Sequence, residues 1–284
     1  MRSRLVAGVV TTGALSGLLF RVATPRPAPA WKWSNRLLTL SGQVRRYLVG
    51  QPTIVTRSAL PVLVVLHGRT MTPEQMSQIT GFQKVVGPAI LVYPAGIGQS
   101  WNAGACCLPA RRFGVDDVAF ITAVTDQVIA TVPHADGRRV FLAGYSNGGR
   151  MAYRVACTGT QLFAGVAVIE AAPAGPCPTP RRALPFLAVA STADPLIRLD
   201  GGRPPLVING YREPTVTDLV AEWRRVDNCA PAATTRQAGT LRVTAWNDCP
   251  AGARVGLDVY QGNRHAWPRG AAQQIWSFFR PSRR

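Results

Sequence analysis

The sequence is poor in histidine, lysine and acids. Its 284 residues include three His, two Lys and 14 Asp+Glu, against 32 Lys+Arg in total. No internal run reaches the roughly 18–20 apolar residues of a membrane-spanning helix, which excludes a multi-pass membrane protein. The near-absence of Lys leaves 30 Arg, scattered as pairs such as Arg45-Arg46, Arg111-Arg112, Arg138-Arg139 and Arg224-Arg225. A formal charge of +18 invites a nucleic-acid or anionic-surface reading. There is no basic run interleaved with aromatics, so no nucleic-acid partner is expected; weak association with an anionic envelope is. With 47% hydrophobic and 16% charged residues, the chain has enough apolar material for a sizeable core, and disorder is excluded.

Residues 1–30 differ from the rest. Arg2 and Arg4 precede an uninterrupted apolar or small stretch, residues 5–20, followed by Arg21, a Pro-rich segment and Ala28-Pro29-Ala30. That order reads as a secretory signal, cleaved or retained as a short anchor, and implies a secreted or envelope-located product. Cleavage after Ala30 lowers the formal charge from +18 to +14, because it takes away Arg2, Arg4, Arg21 and Arg26 and no acid. The segment has no Cys to carry a lipid. Residues 31–284 then read as one α/β domain, expected to be monomeric.

No cysteine precedes residue 100, yet six follow it: Cys106, Cys107, Cys157, Cys177, Cys229 and Cys249. An even count behind an export signal points to disulfides. Six Cys allow 15 pairings; Cys229 with Cys249 is favoured, since they flank one short segment. The adjacent Cys106-Cys107 is poor zinc spacing, and no metal site is expected.

Strand-length apolar runs alternate with helical patterns. Residues 44–49, 61–66, 89–93, 139–143, 163–169, 185–190, 240–246 and 254–260 read as strands. Helices are expected from Thr72 to about residue 86, from Asp116 or Asp117 onward, and over 149–157, 215–226 and 271–280. Unbroken apolar strands suggest a mostly parallel sheet with helices on both faces.

Gly144-Tyr145-Ser146-Asn147-Gly148 is a G-x-S-x-G match between an apolar strand and a helical run. That context suits a nucleophilic Ser on a tight strand-to-helix turn. A nucleophilic Ser needs a base, and in this layout the chain order is Ser, acid, His. His67 and His134 precede Ser146, so His265 is the candidate base. Asp194, just past the 185–190 strand, is the first choice of acid; Asp200 and Glu170 are the alternatives. Oxyanion donors are expected at the backbone N–H groups of Asn147 and Arg69. His67 is read as a stabiliser of its loop, and Asp116 and Asp117 as helix-capping residues. Trp101, Tyr145 and Trp267 are candidate pocket walls, with ordinary core packing as the alternative for Trp101 and Tyr145.

Several stretches carry a family resemblance: VLVVLHGRTMTPEQM, LVYPAG with SWNAGACC, VDDVAFITAVTD, RVFLAGYSNGGRMAYRVAC, STADPLIRLDGG, VAEWRRVDNC and NRHAWP. In this order, from Val62 to Pro268, the sequence resembles the secreted polyhydroxybutyrate depolymerase and feruloyl esterase group of the α/β-hydrolase superfamily. The resemblance implies an α/β-hydrolase fold with disulfides. It implies an acyl-enzyme mechanism with Ser146, Asp194 and His265 as nucleophile, acid and base, and no cofactor. The implied substrates are hydroxyalkanoate esters or feruloyl and acetyl carbohydrate esters. The chain departs from the group at Ala190-Ser191, where a His-Gly pair is usual, and at Arg69, where a Cys or small residue is usual. It has no Ser/Thr-rich linker or polymer-binding domain, so action on solid polymer is not expected. The competing functions are a catalytically inactive hydrolase fold that only binds, and a basic polyanion-binding protein.

Overall fold

The structure is a computed structural model describing residues 30–53, 58–158, 161–177, 182–205, 207 and 210–284. All of the expected leader except Ala30 lies outside the described residues.

The short apolar runs pair into one sheet. Its central strands are β3 (Leu60–Leu66), β4 (Ile90–Pro94), β5 (Ala135–Tyr145), β6 (Gly165–Ile169), β7 (Phe186–Ser191) and β10 (Val255–Tyr260). They lie in the order β4-β3-β5-β6-β7-β10, every neighbouring pair parallel. Antiparallel strands extend both edges: β1 (Trp31–Leu40) and β2 (Gln43–Pro52) beyond β4, and β9 (Leu241–Trp246) and β8 (Thr234–Ala238) beyond β10.

Burial on both faces explains the unbroken apolar strands. Along β3, Val62, Val64 and Leu66 face one core, whereas Leu63 and Val65 face the other. The first core is closed by α2 (Asp117–Thr131), α3 (Asn147–Cys157) and α4 (Val216–Val226), through residues such as Phe120, Val124, Met151, Val155, Leu219 and Trp223. The second is closed by α1 (Pro73–Thr80) and α5 (Ala271–Phe279), through Met76, Ile275, Trp276 and Phe279.

Local chemistry sets the helix ends. Thr72 and Gln75 form a reciprocal capping box at the start of α1, and Pro73 occupies its first turn. The expected helix to residue 86 stops instead at Thr80, because Gly81 takes a left-handed conformation (φ 59°) and caps it. Asp116 caps α2 by accepting from the Ala119 N–H at 3.0 Å. Asp117 does not cap: it is buried and pairs with the equally buried Arg45 at 2.7 Å.

The favoured Cys229–Cys249 disulfide is present, together with Cys157–Cys177 and a pairing of the adjacent Cys106 and Cys107. The last lies within the loop after β4.

Candidate active site

The chain crosses from one side of β3 to the other as it passes from β4 to β5. Such reversals open a crevice at the carboxyl ends of parallel strands. The loop after β3 (His67-Gly68-Arg69-Thr70) and the turn after β5 meet there.

That turn is Ser146, held at φ 53° and ψ −119° between β5 and α3. Positive φ is unusual for a non-Gly residue and signals a conformation enforced by its surroundings. The neighbouring backbone leaves no room for side chains. A Cβ on Gly144 would lie 2.1 Å from the Gly148 carbonyl oxygen, and one on Gly148 would lie 2.4 Å from the Leu66 carbonyl oxygen. The two glycines let the turn close against β3 and lift the Ser146 side chain above the sheet.

Ser146 Oγ lies 2.8 Å from His265 Nε2, and His265 Nδ1 lies 2.7 Å from Asp194 Oδ2. Asp194 is buried in the loop after β7, where its other oxygen accepts from the Leu196 and Ile197 amides at 2.7 and 2.9 Å. Burial alone would raise its pKa. The His265 ring, the adjoining Glu170 carboxyl and the Ile197 amide outweigh this and hold it below the ordinary value. The ionised Asp194 can only accept, so His265 Nδ1 donates to it and Nε2 is left to accept from the Ser146 hydroxyl.

Of the alternative acids, Asp200 is exposed and paired with Arg198. Glu170 is fully buried at the end of β6, accepts from the Ser191 hydroxyl, and lies beside Asp194. Burial, reinforced by Asp194, pushes its pKa up to about 9.

The space over Ser146 is lined by Arg69, Cys107, Asn147, Arg150, Leu196, Ile197 and His265, with a volume of about 10 Å³. The sequence pointed to Arg69, Asn147 and His265 here, but not to Cys107, Arg150, Leu196 or Ile197. Arg150 follows Ser146 by one helical turn, a spacing that could have found it. Among the described residues, neither the Arg69 nor the Asn147 backbone N–H has a hydrogen-bond acceptor.

Tyr145 stacks on His265 with ring centroids 5.5 Å apart, and its hydroxyl donates to the His265 carbonyl at 3.2 Å. Trp267 packs edge-on against Tyr145. Trp101, a candidate pocket wall, is fully buried and contributes no surface over Ser146. Its indole N–H donates to the His67 carbonyl, and its backbone exchanges hydrogen bonds with the Asn147 side chain. Trp101 thus ties the loop after β4 to the turn at Ser146.

His67 is likewise internal. Its Nδ1 donates to the Gly68 carbonyl at 2.7 Å and its Nε2 accepts from the Gly96 N–H at 2.9 Å. Burial pushes its pKa down to about 4, so it is neutral and braces two loops.

Comparison with known proteins gives a consistent picture. The profile described as "Alpha/beta hydrolase family" matches residues 63–282. NocK of Nocardia uniformis subsp. tsuyamanensis, provisionally named an esterase, is 28% identical over 275 residues, covering 86% of this chain and 77% of that protein. Feruloyl esterase B of Piromyces equi is 27% identical over 253 residues, covering 82% of this chain but only 44% of that protein. Among solved structures, the acetyl xylan esterase of Aspergillus awamori superposes with a TM-score of 0.61 at 16% identity, over 86% of this chain and 99% of that one. At that identity the likeness establishes the fold alone.

Proposed function

The chain belongs to the alpha/beta hydrolase family, and from that premise we propose that it is a secreted serine carboxylester hydrolase working through Ser146, His265 and Asp194. The observation carrying this reading is the unbroken hydrogen-bonded chain from Ser146 Oγ through the His265 ring to Asp194. The esterase names of its relatives by sequence support ester hydrolysis.

In the proposed reaction, His265 Nε2 takes the Ser146 proton as Oγ attacks the ester carbonyl. Negative charge develops on the carbonyl oxygen. The free N–H groups of Asn147 and Arg69 receive it, and the amino-terminal end of α3 favours it. Asp194 keeps the imidazole in the required tautomer and stabilises its charged form. His265 then returns the proton to the departing alcohol, and a water activated by the same nitrogen releases the acyl group. No step calls for a cofactor. Substrate classes consistent with this reading are hydroxyalkanoate esters and feruloyl or acetyl carbohydrate esters. The disulfides support an oxidising, extracellular setting.

The test is hydrolysis of nitrophenyl acetate, methyl ferulate and hydroxybutyrate oligomers by the wild type and by Ser146→Ala. The reading expects turnover of at least one ester, lowered by a factor on the order of 10⁶ in kcat in the variant. Equal background rates from both proteins on every ester would leave a fold that binds without catalysing.

A further inference from the structure

We propose that the cavity beside α3 is a subsite for a carboxylate carried by the substrate, so that the enzyme selects esters with a negative group about 10–12 Å from the scissile carbonyl. The proposal rests on the reading of Ser146 as the nucleophile and adds to it a substrate chemistry.

The space directly over Ser146 is too small for more than the reacting atoms, at about 10 Å³. A far larger cavity, about 560 Å³, adjoins it, and Arg150 lines both. That volume lies within the range that encloses small organic ligands. Its walls are the Arg150–Thr158 side of α3, the Ala103-Gly104-Ala105 segment, the Ala174-Gly175-Pro176 segment and Tyr211. Counting from Ser146 at 1.5 Å per residue, Arg150 lies about 6 Å and Arg154 about 12 Å along the helix.

Two guanidinium groups converge on this cavity at Gly104. Arg111 is anchored by its Nε, which donates to the Gly104 carbonyl at 3.0 Å, leaving its terminal N–H groups for another acceptor. Arg154 reaches the same residue: its Nη1 would lie 3.6 Å from a Cβ at Gly104. Among the described residues, neither has an ion-pair partner. Two like charges brought to one wall without a carboxylate between them form a site for an anion with two acceptor oxygens.

The acids nearby are already engaged. Glu213 is paired with Arg150, which removes that cation from the count as well. Glu222 accepts from the Tyr153 hydroxyl at 3.2 Å and lines a neighbouring cavity. On its other side Arg154 borders a smaller cavity with Asp116 and Asp117. Asp116 caps α2 and Asp117 is paired with Arg45, neither within ion-pair distance of Arg154. Among the described residues lining the cavity, Arg111 and Arg154 are thus the charged groups without an ion-pair partner.

The test compares the nitrophenyl monoester of azelaic acid with nitrophenyl nonanoate. The first carries, on an equally long chain, a carboxylate about 10 Å from the ester carbonyl. The wild type should show a kcat/KM at least about tenfold higher for the monoester, arising in KM and falling with added salt. In Arg111→Gln/Arg154→Gln that advantage should vanish, with the monoester losing about tenfold more than the nonanoate. Equal kcat/KM for the two esters in the wild type, or equal losses on both in the variant, would overturn the proposal. If neither ester is hydrolysed, the Ser146 reading fails separately. The subsite is then judged by calorimetric titration with azelate: binding abolished in the double variant sustains it, and no binding to the wild type overturns it.

Discussion

The fully buried carboxyl group of Glu170 lies against Asp194, the residue that holds His265. Two carboxyl groups packed together out of water do not both ionise. Burial pushes Glu170 up to about 9 while Asp194 is held low, so the proton belongs to Glu170. Ser191 completes the arrangement by donating to Glu170 and accepting from the Asn263 side chain at 2.9 Å. A neutral acid thus lies beside the charged one.

Stability should consequently fall as the solution becomes alkaline. The folded pKa of Glu170, about 9, exceeds its unfolded value near 4.5. The folded state therefore holds a proton that the unfolded chain has lost. Its contribution is complete below about 4.5 and is lost as pH rises toward 9. Buried Asp227 and Asp258, both raised to about 7, act in the same direction over the lower part of this window. Thermal unfolding should give a lower Tm at pH 9 than at pH 6. Glu170→Gln keeps a neutral side chain beside Asp194; it should retain activity at pH 7 and flatten the alkaline decline in both Tm and rate. An unchanged decline in that variant would contradict the protonated state assigned to Glu170.

Glu170 also marks how far the sequence could be read. It emerged there as an alternative acid because it ends the strand before the one that leads to Asp194, yet only folding places the two side by side. The parallel strands were legible because burial on both faces demands unbroken apolar runs, as in Val62–Leu66. The two outermost strands, β1 and β8, were not. All five residues of β8 are exposed, so no apolar pattern announces it. In β1, Trp33 crosses onto Gly50 of β2, a cross-strand contact without a local signature. Ser146 could be picked out by its G-x-S-x-G turn, His265 because one His alone follows that turn, and Asp194 because it follows the 185–190 strand. Cys107, Leu196 and Ile197 could not, since loop closure and not spacing brings them over Ser146.

Gly148→Ala should be far more damaging than its single methyl group suggests. The added carbon would lie 2.4 Å from the Leu66 carbonyl oxygen and 2.5 Å from that of His67, both rigid backbone. Relief requires α3 to move away from β3 and carries Ser146 with it. We expect a loss of roughly 1–3 kcal/mol or more in denaturant unfolding, with ester turnover falling further than the residual folded fraction explains. A variant with wild-type stability and activity would show that the turn is looser than described.

The Cys157–Cys177 disulfide joins the end of α3 to the loop after β6, across 20 residues. A loop of that size contributes about 3 kcal/mol through restriction of the unfolded chain. Replacing both cysteines by Ser should lower stability by about 2–5 kcal/mol. The loss should appear in the denaturation midpoint, and reductant should weaken the wild type but not this pair's contribution in the variant.

The most direct test of the central claim is site-specific labelling of Ser146. A serine-reactive fluorophosphonate should inactivate the protein with one equivalent bound, and peptide mass mapping should place the adduct on Ser146. Ser146→Ala and His265→Ala should remain unlabelled over the same interval. Labelling at another residue, or ester hydrolysis that survives complete modification of Ser146, would contradict the account.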